Sequence, residues 1–404
     1  MGVHWKTRIK RLLSPNDRRH TWFSSKLLHS RRTCVVTMVI IVYVLYLRSE
    51  HPKPYMPDIQ FREKDNTGLK SPGFYIRSIY EQIYYIFVNF REVENQNIES
   101  LMRSPKKSFF GIHLDVRDIV DMKIKNSASE LKTTGLVNLH PFRYLNNPGH
   151  CQFKNNGMRT ILIIVKSTVR NVLLRHAIRK TWGNIIDENV KIVFMLGRNN
   201  SRHFQQDTID TEAAKYKDIV QEDFVDTYFN NTLKSIMSFN WAAQYCEDAQ
   251  FLLFVDDDFL IDVPKIQNYI YSIPESDVAT LFTGHRIIQP VVRDRESKWY
   301  LSWEAFPYKY WPPYLAGGAY LTSMPVAKKF SYAFPYIDML GIDDAWLGIV
   351  ARNLRIYPQD HHFFHNNGRY SHLALVYQCC HTEKKMLETW WQYKHSASFR
   401  FGTL

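Results

Sequence analysis

From residue 151 onward, short continuous apolar runs alternate with segments in which apolar residues recur every three or four positions. A continuous run of four to eight apolar residues reads as a strand buried on both faces, and a 3.6-residue spacing reads as an amphipathic helix. The predicted strands are Arg159 to Lys166 (RTILIIVK), Lys191 to Leu196 (KIVFML), ended by Gly197, and Phe251 to Val255 (FLLFV). Val169 to Trp182 is predicted helical from Val172, Leu173, Ala177 and Ile178, with its arginines largely on the other face. Further helices are predicted over Thr232 to Tyr245, over Pro264 to Ile273 and from Pro325, with a small-residue turn at Gly317 and Gly318. Asp343 and Asp344 form an acidic turn that opens another helix. Strands alternating with helices predict an α/β fold built from βαβ units, without internal repeats.

The run Phe251 to Val255 stops at three aspartates, Asp256, Asp257 and Asp258. In open α/β sheets, ligands gather outside the carboxyl ends of such strands. While the chain stays extended, Asp256 and Asp258 point to one side. Two carboxylates roughly 5 to 6 Å apart repel by about 3 kcal/mol at an effective dielectric of 20, and a divalent cation relieves that repulsion. Three aspartates equally suit a solvated turn or a helix cap, and the triplet by itself leaves both readings open.

The first 150 residues follow another pattern. Thr33 to Leu47 (TCVVTMVIIVYVLYL) is uncharged, with Arg31 and Arg32 before it and Arg48 after. A fifteen-residue helix spans about 22 Å, short of the roughly 30 Å hydrocarbon core, so flanking side chains would snorkel or the membrane be thin. Directly after a basic tail, the run is expected to be a transmembrane signal anchor, with residues 1–32 cytosolic and the remainder lumenal by the positive-inside rule. Residues 48–150 are the expected stem. They open with Pro52, Pro54 and Pro57 and carry an aromatic segment, Phe74 to Phe90. The catalytic body is expected over 151–404.

Charge sharpens this division. The chain carries +13, and nine Lys or Arg against Asp17 alone put +8 of it in residues 1–32. The other 372 residues hold only +5, so the body gives little reason to expect nucleic-acid binding. Asn199 and Asn230 head N-glycosylation sequons, in keeping with a lumenal body. Four cysteines lie beyond the anchor and allow three connectivities. Cys151 with Cys246 is the expected pair, and the adjacent Cys379 and Cys380 are expected to bond elsewhere or stay reduced.

Five motifs stand in order: RHAIRKTWG (Arg175 to Gly183), EDFVDTYFNNTLK (Glu222 to Lys234), the aspartate triplet, WPPYLAGGAY (Trp311 to Tyr320) and DDAWLG (Asp343 to Gly348). Together they resemble the β-1,3-glycosyltransferase family of galactosyl- and N-acetylglucosaminyltransferases, over about Cys151 to Tyr357. KWYLSWEAFPY and the DDAWLGIVA ending look most like its brainiac-like invertebrate subgroup.

The resemblance implies a GT-A fold, a nucleotide-binding α/β sandwich with a mixed central sheet, in a type II Golgi membrane protein. The implied activity is inverting transfer of N-acetylglucosamine or galactose from a UDP donor, in β-1,3 linkage, to a glycan on lipid or protein. It implies Asp258 as ligand of Mn²⁺ or Mg²⁺ bridging the donor diphosphate, with Asp256 and Asp257 at the nucleotide and Asp344 as general base. Arg175, Arg179 and Lys234 are expected near the donor. Gly317 and Gly318 are expected to let backbone approach a sugar closely. Trp311 and Tyr314 are the expected acceptor contacts, with Trp299 and Trp303 as further stacking candidates.

Family members also carry a metal-binding His shortly before M-x-x-x-W, matched here by Met386 to Trp390. Gapless matching puts Gln378 or Cys379 at that place, and His381 is the nearest candidate, with His372 and His365 behind it. This departure motivates a rival reading: a catalytically inactive relative that partners an active transferase. Homo- and hetero-oligomers are both compatible with the sequence.

Overall fold

A computed structural model describes residues 115–125, 136–154, 157–184, 187–200, 206–365 and 373–395. The basic tail, the anchor expected at Thr33 to Leu47 and the stem up to residue 114 lie outside the described residues. No helix among the described residues is long and apolar enough to cross a membrane.

In chain order the elements begin with α1 (Val116–Ile124), β1 (Tyr144–Asn146), β2 (Ile161–Lys166), α2 (Val172–Lys180) and β3 (Val190–Arg198). Next come α3 (Gln206–Tyr216), β4 (Ile219–Val225), α4 (Asn231–Tyr245), β5 (Phe251–Asp256), β6 (Phe259–Ile261), α5 (Val263–Ser272) and α6 (Glu275–Val278). The chain continues through β7 (Phe282–Ile287), β8 (Tyr314–Ser323), α7 (Met324–Ala333), α8 (Asp343–Asn353), β9 (Gln359–Asp360), β10 (Phe364–His365), β11 (Val376–Gln378) and α9 (Glu383–His395).

Eight strands form one mixed sheet in the order β1-β4-β3-β2-β5-β8-β7-β9. Its centre, β4-β3-β2-β5, is parallel. β1 and β8 attach antiparallel to β4 and β5, and β7 runs antiparallel to β8. A smaller sheet joins β10, β11 and β6. The continuous apolar runs are explained by burial on both faces. Leu162, Ile164, Leu252 and Phe254 enter one core with α1, α4, α7 and α8, while Ile161, Ile163, Val165, Leu253 and Val255 enter the other with α2, α3 and α5.

This layering positions the site. β2 leads to β3 through α2 on one face, and β4 returns to β5 through α4 on the other. The two connections diverge between β2 and β5, which opens a crevice at the carboxyl ends of those strands. In-register pairing sets Lys166 beside Asp256 there.

Three expectations are corrected. Gly317 and Gly318 are not a turn but the middle of the ten-residue strand β8, its only half-buried positions in an otherwise buried run. The boundary expected at residue 151 also moves. β1, assigned to the stem, pairs with β4, and Val137 and Asn138 donate backbone N–H groups to Pro335 O. Cys151 and Cys246 form the expected disulfide, tying that segment to the end of α4. Cys379 and Cys380 are bonded to each other, against the expectation that they would pair elsewhere or stay reduced.

Candidate active site

The site is built around a lysine absent from every motif. Lys166 ends β2 with its side chain 6% exposed. Its Nζ lies 2.9 Å from Gly317 O, 3.1 Å from Asp256 Oδ1 and 3.4 Å from Asp343 Oδ2. Burial alone would pull this ammonium down. The neighbouring Asp256, Asp343 and Tyr320 overcome that and hold it well above the ordinary lysine range. One buried cation therefore ties β2, β5, β8 and the start of α8 together at the mouth of the crevice.

The three aspartates take separate directions because β5 ends at Asp256 and turns. Asp256 faces Lys166. Asp257 is buried, and its Oδ2 accepts from Ser167 Oγ at 2.6 Å and Asn171 Nδ2 at 2.8 Å, fixing the β2–α2 loop. Asn171 precedes α2 without capping it, its amide committed to Asp257 instead. Asp258 faces the C-terminal segment. Its Oδ2 accepts from Gln378 Nε2 at 2.8 Å and meets His381 Nδ1 at 2.9 Å. Backbone N–H groups of Cys379 and Cys380 both donate to Asp258 O, so the bonded cysteine pair clamps the aspartate between Gln378 and His381.

Asp258 Oδ1 is buried and has no hydrogen-bond partner. A buried carboxylate oxygen left unpaired costs free energy unless something fills its lone pairs. An unpaired oxygen beside an imidazole suits Mn²⁺ or Mg²⁺, although no group of three or more His, Cys, Asp or Glu converges among the described residues. Asp258 and His381, in contact at 2.9 Å, are the side chains here that could hold such a cation. His365 lies on β10, paired with Tyr377, and His372 is outside the described residues.

Asp344 opens α8 across the crevice. Its Oδ2 accepts from Gly317 N at 3.2 Å and its Oδ1 from Ala345 N at 2.8 Å. Burial, with the charge of Asp343, pushes its carboxyl up to about 6, against the pull of those two N–H groups. A carboxylate in that range suits a general base near neutral pH. Gly317 permits the approach, since a β-carbon there would sit 3.2 Å from Asp344 Cβ. Gly348 does the same for helix on strand, because a β-carbon would lie 2.6 Å from Tyr314 Cβ.

Several expected contacts serve other ends. Arg175, 0% exposed, makes a bidentate pair with Glu212 and also donates to Ser167 Oγ. Arg179 is bidentate to Asp218 and shares Glu212. Both arginines brace α2 against α3 and the start of β4, so neither is free to meet a donor phosphate. Lys234 is buried, bonded to Asp226 Oδ1 at 2.8 Å and Ser167 O at 2.6 Å. Trp311 is 4% exposed and stacked on Phe306, and Tyr314 is 3% exposed with its hydroxyl accepting from Gln289. These rings are core rather than acceptor surface. Asn230, expected to carry a glycan, donates its amide to Val225 O, while Thr232 of the same sequon is buried and bonded to Leu340 O. Asn199 stands just after β3.

Comparison with known proteins shows which family the chain resembles. A family model described as galactosyltransferase matches residues 174–362. The chain is 36% identical over 259 residues to the human lactosylceramide 1,3-N-acetyl-beta-D-glucosaminyltransferase, covering 61% of this chain and 68% of that protein. The mouse protein of the same description is 33% identical over 264 residues, covering 63% and 69%. Among solved structures, a glycosyltransferase involved in glycosylation of the PBCV-1 major capsid aligns over 58% of the chain at a TM-score of 0.32 and 13% identity.

Proposed function

The chain belongs to the galactosyltransferase family and is a β-1,3-glycosyltransferase, and from that premise we propose that it transfers N-acetylglucosamine from UDP-N-acetylglucosamine to the 3-hydroxyl of a galactose-terminated glycolipid. The observation that carries this reading is the pairing across one crevice of the Asp256–Asp258 turn, at the carboxyl end of β5, with Asp344, raised toward neutral pH at the head of α8. The donor and acceptor classes are those in the relatives' names.

Asp344 takes the proton from the acceptor 3-hydroxyl as that oxygen attacks the anomeric carbon, and the configuration there inverts. Gly317 N–H and Ala345 N–H hold the carboxylate in place. Lys166 fixes Asp256 and Asp343 on opposite walls of the site, so that the donor and acceptor sides keep a constant separation. Mn²⁺ or Mg²⁺, held by Asp258 and His381, would neutralise charge on the departing UDP. Residues 33–47 anchor the protein as a single-pass type II membrane protein, with the catalytic body in the Golgi lumen, as the uncharged run after a basic tail suggests.

The test is a donor screen on the purified lumenal chain with Mn²⁺, using UDP-N-acetylglucosamine and UDP-galactose against lactosyl and N-acetylglucosaminyl lipids, with linkage analysis of the product. The reading predicts a β-1,3-linked N-acetylglucosamine on lactosyl lipid. Transfer of galactose instead, or a 1,4 linkage, would overturn the donor or the regiochemistry. No turnover with any pair would favour the inactive relative.

A further inference from the structure

With Trp311 and Tyr314 buried, the acceptor must be received elsewhere. Two distant segments present aromatic surface. Tyr228 and Phe229, on the 3-10 turn between β4 and α4, are 46% and 65% exposed, and Trp299, from the long β7–β8 connection, is 48% exposed. Trp299 Nε1 donates to Tyr228 OH at 2.9 Å, and Lys298 Nζ stands 5.2 Å from the Tyr228 ring centroid and 4.7 Å from that of Trp299. Ordering two large exposed side chains on separate loops costs conformational entropy, so a hydrogen bond that holds them together in water marks a preformed surface.

That surface is docked on the catalytic loop. Thr232 Oγ donates to Leu340 O at 2.6 Å, and Phe229 O lies 3.6 Å from where a β-carbon on Gly341 would sit. Two and three residues beyond Gly341 come Asp343 and Asp344. Burial raises the Tyr228 hydroxyl, and the charges of both aspartates add to the rise, which agrees with their proximity. Other exposed indoles are engaged differently: Trp303 is covered by the Arg293 guanidinium at 3.9 Å, and Trp391 stacks on His395 within α9.

We propose that Tyr228 and Trp299 form the platform on which the terminal β-galactoside of the acceptor stacks, presenting its 3-hydroxyl to Asp344. The proposal rests on the transferase reading above and names the contact surface it requires. Galactose suits the platform because its axial 4-hydroxyl leaves the C3, C4 and C5 hydrogens on one face, an apolar patch for the electron-rich face of an aromatic ring. Tyrosine and tryptophan pair an apolar ring with a polar edge, and here those edges are spent on each other; the Lys298 ammonium lies over one face of each ring, which leaves the opposite faces for the sugar.

The experiment compares steady-state kinetics of the wild-type lumenal chain with Trp299→Ala, Trp299→Phe and Tyr228→Phe, using octyl β-galactoside as acceptor and measuring UDP-N-acetylglucosamine affinity separately by calorimetry. Trp299→Ala is expected to raise the acceptor KM at least tenfold while donor affinity moves less than twofold, and Trp299→Phe to recover most of the loss by restoring a ring. Tyr228→Phe, which removes the hydroxyl that accepts from the indole, is expected to raise KM several-fold. Thermal unfolding of each variant checks the fold. An unchanged acceptor KM in Trp299→Ala, or an equal loss of donor affinity, overturns the platform and leaves the transferase reading standing. Wild-type protein that binds UDP-N-acetylglucosamine but does not use the galactoside overturns the acceptor assigned to the platform. Wild-type protein that binds no UDP-sugar overturns the transferase reading and this proposal with it.

Discussion

Lys166→Met isolates the cation that joins the two halves of the site. At 3.1 and 3.4 Å from Asp256 and Asp343, its attractions amount to roughly 5 kcal/mol each at an effective dielectric of 20. Most of that is offset by the cost of taking the charges out of water, and what the substitution exposes is the penalty of uncompensated carboxylates, about 3 to 5 kcal/mol. Asp256 keeps 39% of its side chain in solvent, which favours the lower end, about 3 kcal/mol. For a body of this size that lowers Tm by roughly 6 °C. The sign with pH follows from Asp256. Burial already raises its carboxyl, Lys166 opposes the rise, and without the lysine it rises further. A carboxyl raised in the folded state takes up its proton there first, so the deficit should shrink as pH falls from 7.5 to 5.5. Urea unfolding of both proteins at the two pH values is the assay. A deficit below about 1 kcal/mol, or one that stays constant with pH, would refute the bridging role of Lys166.

Because burial and Asp343 raise the Asp344 carboxyl to about 6, kcat/KM should hold above that value and fall about tenfold per pH unit below it; a limb near 4 would mean that Asp344 does not limit the rate. Gly317→Ala forces a β-carbon to within 3.2 Å of Asp344 Cβ, and a displaced base should lower kcat by tenfold or more, with donor affinity little changed in calorimetry. Asp258→Asn and His381→Ala should each raise the Mn²⁺ concentration for half-maximal donor binding at least tenfold, and an unchanged requirement in both would remove them as ligands. Replacing Cys379 and Cys380 together by serine loosens the loop whose N–H groups hold Asp258 O, and should raise the same Mn²⁺ requirement several-fold without moving the acceptor KM.

The parts of the fold legible in the sequence were those whose burial is recorded locally. The strands β2, β3 and β5 announce themselves as unbroken apolar runs because both of their faces are covered, and α8 as two acids ahead of an apolar helix. What escaped depends on partners far along the chain. Lys166 reads as the polar end of a strand until parallel register sets it beside Asp256, ninety residues on. Arg175 and Arg179 read as one surface face because Glu212 and Asp218, which bury them, stand 37 and 39 residues away. Paired glycines suggested a turn at Gly317 and Gly318, where the chain is instead a strand that needs Gly317 to be without a side chain in front of Asp344. The contact of His381 with Asp258, 123 residues away in sequence, likewise depends on the Cys379–Cys380 segment bonding to Asp258 O.

The central claim places the proton acceptor at Asp344 and donor binding elsewhere, at the Asp256–Asp258 turn. Its most direct measurement is transfer of N-acetylglucosamine to a β-galactoside by Asp344→Asn, with the UDP-N-acetylglucosamine dissociation constant determined on the same sample. Transfer at least a thousandfold slower than wild type, with the dissociation constant within about threefold, is the predicted result. Transfer within tenfold of wild type, or loss of donor binding in step with loss of transfer, would contradict it.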